Sequence, residues 1–199
     1  MQDDSLKFRK LRADEIECRV GISKEKGCTL LLYKDARCDM NILDETVGSR
    51  NWQRHHSRDN ANCIVSIWDK MKNQWIEKED VGTESNTEKE KGIASDSFKR
   101  ACVNWGIGRE LYTSPFIWVP SSKYNNTSRN GKFYPDANFE VAKIAYDEAG
   151  NISALQIINT KLPDDNQIVY TYLSPEMAEK IRTSKSKKQA IVNAIKGES

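Results

Sequence analysis

Long apolar runs are missing from this 199-residue chain. None of its hydrophobic stretches approaches the roughly 20 residues that cross a bilayer, so no membrane contact is expected. The first ten residues, MQDDSLKFRK, lack the apolar centre of a secretory signal, and a cytoplasmic location is expected. Histidine is scarce: the two present, His55 and His56, are neighbours rather than i,i+4 metal ligands on a helix. The five cysteines, Cys18, Cys28, Cys38, Cys63 and Cys102, include no CxxC pair. That argues against a zinc knuckle and a disulfide framework, and reduced structural thiols are expected. Neither a metal nor another cofactor is expected. No P-loop is present, so ATP-driven work is not expected. No Asp or Glu is followed two residues later by Lys, which removes the acid-x-Lys pattern of metal-dependent nucleases. Gly106-Ile107-Gly108 lacks a third glycine and ends a helical pattern instead of following a strand, so it is no dinucleotide loop. A function without bond-making catalysis is the expectation. A surplus of one charge is missing too. With 31 basic and 29 acidic residues the net charge is +2, so any case for a polyanionic ligand rests on local patterning.

Local patterning is uneven. Residues 50–58 carry three Arg and two His with no acid, and residues 180–196 carry six Lys or Arg and no acid. The 38% hydrophobic content suffices for a core, and the chain length fits one sizeable domain or a domain with an addition. An opening helix is expected over 11–20, where Leu11, Ile16 and Val20 are apolar, then a buried strand over 28–33. Ala36, Met40, Leu43 and Val47 stand at helical spacing, with Gly48 closing that helix. Strands follow near 49–58, over 62–69 and over 74–81, the last two joined by a hairpin loop at 70–73. A long helix, a short apolar strand at 115–120 and a surface loop at 121–138 come next. Strands at 139–146 and 152–160 flank a turn signal, a further strand covers 168–173, and Ser174-Pro175 starts a C-terminal helix. The order reads as an α+β fold. It comprises an opening helix, strand, helix, antiparallel β-meander and a long helix on the sheet. The division expected is a core at 1–120 and a C-terminal hairpin and helix addition at 121–199.

The most informative stretch is 81–112, VGTESNTEKEKGIASDSFKRACVNWGIGRELY. Ala94, Phe98, Ala101, Cys102 and Trp105 form one apolar stripe of an amphipathic helix. Lys99 and Arg100 project elsewhere, and Gly106 and Gly108 end the helix. Adjacent cations on a helix anchored by its other face suit a phosphate ladder, because Arg forks onto phosphate oxygens while Lys supplies a point charge. A solvated helix face is the plainer reading of the same pair. Arg50, Trp52, Arg54, His56 and Arg58 alternate at period two, so a strand over 49–58 would put all of them on one face. Cations interleaved with an aromatic match the way single strands are held, by phosphate contacts and base stacking. Equally, Trp52 could face the core while the arginines protect an edge strand. Both readings stand at this point. Trp68, Trp75, Trp105 and Trp118 sit in apolar patterns and read as core.

The words LRADEIECR (11–19), G-x-x-x-W (48–52), EDVG (79–82), DSFKRA (96–101) and a Gly-rich end running to Leu111-Tyr112 occur in that order. In this, residues 6–120 resemble the single-strand annealing recombinases of the Rad-fifty-two/Sak type, including phage and bacterial relatives. The block 79–112 carries most of the specificity. The resemblance implies an oligomeric ring or arc that holds single-stranded DNA in a positively charged outer groove and anneals complementary strands without ATP, in recombination and repair. On matching positions it implies groove cations at Lys99, Arg100 and Arg19. The chain departs from that pattern in its reduced Gly-rich turn (Gly21, Gly27), in the acidic approach at Glu84, Glu88 and Glu90, and in everything after about residue 121. The expected partners are single-stranded DNA and further copies of the chain. A mediator that recruits a single-strand-binding protein or a host recombinase is the second reading. Its contacts would come from the 121–138 loop and the basic tail.

Overall fold

A computed structural model of the chain describes residues 6–83 and 89–184. The fold is α+β. In chain order, β1 (Glu17–Lys24) and β2 (Gly27–Tyr33) precede α1 (Ala36–Val47), then β3 (Trp52–Ser57), β4 (Asn62–Asp69), β5 (Gln74–Val81) and the long α2 (Lys89–Trp105). There follow β6 (Ile117–Pro120), β7 (Asn125–Arg129), β8 (Lys132–Asp136), β9 (Phe139–Tyr146), β10 (Ile152–Asn159) and β11 (Ile168–Leu173). A helix, α3, covers residues 175–184. These elements divide into two units that interleave in sequence: Met1–Glu17 with Leu32–Tyr112, and Cys18–Leu31 with Thr113–Ser199.

The first unit is a three-stranded antiparallel meander, β3-β4-β5, with α2 across β4 and β5. Helix α1 starts at Asp35, whose side chain accepts the Arg37 backbone N–H at 2.6 Å, and ends at Gly48 in a left-handed conformation (φ 83°). It buries Cys38, Ile42 and Leu43, while α2 buries Phe98, Ala101 and Cys102. The α2 set is the stripe that helical spacing predicts; on α1 only Leu43 of the expected Ala36, Met40, Leu43 and Val47 is buried, and the other three are half-buried. Strand β4 supplies the facing apolar side chains Cys63, Val65 and Ile67. Full burial of a side chain the size of Phe98 contributes roughly 1.5–3 kcal/mol. Chain entry to α2 depends on Gly82: a Cβ there would lie 2.5 Å from the Ile93 carbonyl oxygen and 2.6 Å from the Ser97 nitrogen. Any side chain would push β5 and α2 apart.

The second unit is built on a six-stranded sheet in the order β11-β10-β9-β1-β2-β6. Its core includes Cys28, Leu30, Val119, Val141, Leu155 and Ile157. Helix α3 starts as the Ser-Pro signal predicts: Ser174 Oγ accepts the Met177 N–H at 3.2 Å. All five cysteines are free thiols. Burial pushes Cys18 and Cys38 up to about 12 and Cys63 up to about 11, so these remain protonated and unreactive near neutral pH.

Two expectations are corrected. The 11–20 segment is no helix: it forms one 3-10 turn, Ala13–Glu15, and then strand β1. Leu11 and Ile16 are both buried, five positions apart, which a continuous helix would not place on one face. The turn is closed locally, with Glu15 accepting the Arg12 N–H at 2.8 Å, and beyond it Val20 and Ile22 favour strand. The 121–138 segment is no loop either. After a 3-10 turn, Ser121–Lys123, it forms the hairpin β7–β8 around Asn130 (φ 50°) and Gly131 (φ 71°). Two successive left-handed residues are what a two-residue hairpin turn demands, and Asn-Gly meets that demand.

Candidate functional site

The outer stripe of α2 forms the site. Asp96, Lys99, Arg100 and Val103 stand at i, i+3, i+4 and i+7, and together they line one side of an open pocket of about 160 Å³. The other side comes from Leu32, Tyr33 and Lys34 at the end of β2 and from Gly108, Leu111 and Tyr112 beyond α2. The Lys99 ammonium lies 5.9 Å from the centre of the Tyr33 ring. The Arg100 guanidinium hydrogen-bonds to Asp80 at 3.2 Å, and that bond raises its pKa. Tyr112 stands at the rim with 71% of its surface exposed.

The floor is an ion pair. Lys34 is 4% exposed, and its Nζ donates to both oxygens of the fully buried Asp39, at 2.5 and 2.6 Å. Burial pushes the Asp39 carboxyl up to about 6, opposed by the Lys34 charge. Gly108 makes room for that lysine, since a Cβ there would lie 2.2 Å from Lys34 Cε. Its left-handed backbone (φ 70°) suits glycine as well.

The neighbouring carboxylates are engaged elsewhere. Asp96 accepts from the Thr83 backbone N–H (2.9 Å) and hydroxyl (3.2 Å), Asp35 holds Arg37, and Asp80 accepts from Asn104 as well as from Arg100. Among the described residues Lys99 makes no ion pair. The pocket therefore offers one ammonium outside any ion pair among the described residues, one half-exposed guanidinium and two phenol rings on a shared surface. Phosphate oxygens and a stacked planar ring are the chemistry that this set can hold.

The alternating residues at 50–58 go elsewhere. Strand β3 keeps only Trp52, Arg54 and His56 in register, and this face meets α2. Trp52 stacks on Phe98 with centroids 6.2 Å apart, and its indole N–H donates to Asp44 at 2.6 Å. The Arg54 guanidinium covers the same Phe98 ring at 4.8 Å. His56 Nδ1 lies 3.5 Å from Ser97 Oγ, and burial lowers its pKa. Arg50 precedes the strand, exposed in the turn after α1, where Asn51 bonds back to the Val47 carbonyl. Arg58 follows it, exposed, as the first of three consecutive left-handed residues, Arg58, Asp59 and Asn60. Arg50 and Arg58 thus lie outside the alternation that would have united all five side chains.

Arg19 is exposed on β1 and belongs to the second unit, not to the unit that carries Lys99 and Arg100. Glu84 and Glu88 of the acidic approach, and most of the basic tail, lie outside the described residues. Sequence patterning missed Tyr33, Lys34 and Tyr112. The available signal was the YKD end of β2 and the LeuTyr that closes the 81–112 block.

No family model and no solved structure matches this chain. Over 153 residues the chain is 27% identical to the single-stranded DNA-binding protein DdrA of Deinococcus radiodurans, an overlap of 72% of this chain and 71% of that protein. At that length the similarity draws on both units.

Proposed function

We propose that this chain binds single-stranded DNA through the α2 pocket. Lys99 and Arg100 contact successive phosphates, while Tyr33 and Tyr112 provide ring surface beside them. The observation that carries this reading is the convergence of those two cations and two aromatic rings on one open surface. The similarity to a single-stranded DNA-binding protein supports the ligand class.

The finer reading follows the resemblance in the 79–112 block. Copies of the chain assemble into a ring or arc, each holding a few nucleotides, and complementary strands anneal without ATP in recombination and repair. The rate gain comes from charge neutralisation and from extending a flexible polymer before pairing. Multivalency along the assembly raises the affinity above that of one pocket. Arg19 would belong to the same path only through the arrangement of the units in that assembly. The reaction breaks no bond, and the protein works in the cytoplasm.

Anisotropy titration of labelled oligo-dT and of a blunt duplex tests the ligand class. Tight, salt-sensitive binding of the single strand with weaker duplex binding is the expected outcome. Equal affinity for both, or none for either, contradicts the reading. A nucleotide-free annealing assay with the same oligomer and its complement tests the finer claim, and an uncatalysed rate contradicts it.

A further inference from the structure

We infer that the β7–β8 hairpin of the second unit is a separate contact site for single-stranded DNA, with Arg129 and Lys132 on phosphates and Tyr134 on a base. This inference rests on the proposed ligand class but on none of the residues of the α2 pocket.

The register places Thr127 opposite Tyr134 and Arg129 opposite Lys132. Side chains of directly paired residues share a face, and so do residues two apart on a strand. Thr127, Arg129, Lys132 and Tyr134 therefore occupy one face of the hairpin, and all four are exposed. The opposite face carries the half-buried Asn126, Phe133 and Pro135. Asn126 ties that side down, with its amide donating to the carbonyls of Lys24 (3.0 Å) and Glu25 (3.3 Å) at the β1–β2 turn. The ribbon is thus anchored on one side and open on the other.

Its open side has an unusual arrangement of charge. Like charges directly opposite each other in a ladder destabilise it. Arg129 and Lys132 are such a pair, next to the turn, and neither makes an ion pair among the described residues. The acid at the far end of β8, Asp136, is held by Lys161. A cationic pair on a polar ribbon is resolved by an anionic ligand. Tyr134, two residues from Lys132 on the same face and 49% exposed, selects among anions. Phosphates beside a stackable ring fit a single-stranded nucleic acid, whose bases are free to stack. A duplex hides those ring faces.

The full-length protein and labelled oligo-dT test the inference across a salt series. Arg129→Gln with Lys132→Gln should lower the slope of log affinity against log salt by about 1.4, since each phosphate contact on a single strand contributes about 0.7. Photocrosslinking of a bromodeoxyuridine oligonucleotide to the unaltered protein should give an adduct at Tyr134, a readout independent of any effect of substitution on folding. An unchanged slope with no adduct on residues 125–136 overturns the hairpin site. If Lys99→Gln with Arg100→Gln still lowers the slope in that case, the α2 reading survives alone. Absence of single-strand binding by the unaltered protein overturns both.

Discussion

Strand β3 and the outer stripe of α2 have similar composition, with cations beside aromatic rings, yet they have opposite surroundings. On β3, Trp52 stacks on Phe98 and the exposed Arg54 guanidinium lies over the same ring, so the aromatic surface there is turned to packing. On α2, Lys99 and Arg100 border an open pocket, with Tyr112 standing clear at its rim. Period-two spacing told which β3 side chains share a face, but that face packs its rings and side-chain stems against α2, with Arg54 still exposed above Phe98. An arginine on an aromatic ring is also a recognised way to bury a side-chain stem while leaving the charge wet. A cation-and-aromatic pattern therefore identifies a ligand surface only once its facing element is known.

Three measurements sharpen that contrast. The largest expected effect lies beneath the pocket. Lys34→Met leaves Asp39 buried without its cation, which should cost about 3–5 kcal/mol at about pH 8. Asp39 titrates above the ordinary carboxylate range in the folded protein, so the native state holds its extra proton between about pH 4 and 6. Stability from this group falls as pH rises through that window, and removing Lys34 extends the window upward. Urea melts of the variant at about pH 5 should show a smaller loss than at about pH 8. Equal losses would mean that Asp39 does not set the cost.

A smaller effect is expected on the β3 side. Phe98→Leu keeps an apolar side chain but removes the ring that Trp52 and Arg54 share. The loss should be about 1–2.5 kcal/mol, from one aromatic pair and one cation–π contact. Thermal melts read it, and single-strand affinity of the folded variant should stay as it was. A selective loss of DNA affinity at unchanged stability would move the ligand surface to β3.

Much of the scaffold was legible in the chain. Helix α1 and strands β4, β5, β9 and β11 fall where caps and alternation place them, because local signals and tertiary burial agree there. The 11–20 segment misled because Ile16 and Val20, four apart, fit a helix while Leu11, five before Ile16, does not. The β7–β8 hairpin escaped because its strands carry no apolar alternation, although the Asn-Gly turn was in view. At the site, Lys99 and Arg100 were legible from their place in the 81–112 block. Tyr33 and Lys34 were not, since only folding brings the end of β2 beside α2.

The central claim is that the α2 stripe, and not the β3 face, meets the phosphates of a single strand. Salt titrations of oligo-dT binding to Lys99→Gln with Arg100→Gln, beside Arg54→Gln, test it most directly. The account predicts a slope of log affinity against log salt lowered by about 1.4 in the α2 double variant and unchanged in the β3 variant. An unchanged slope in the double variant, or a larger drop in Arg54→Gln, would contradict it.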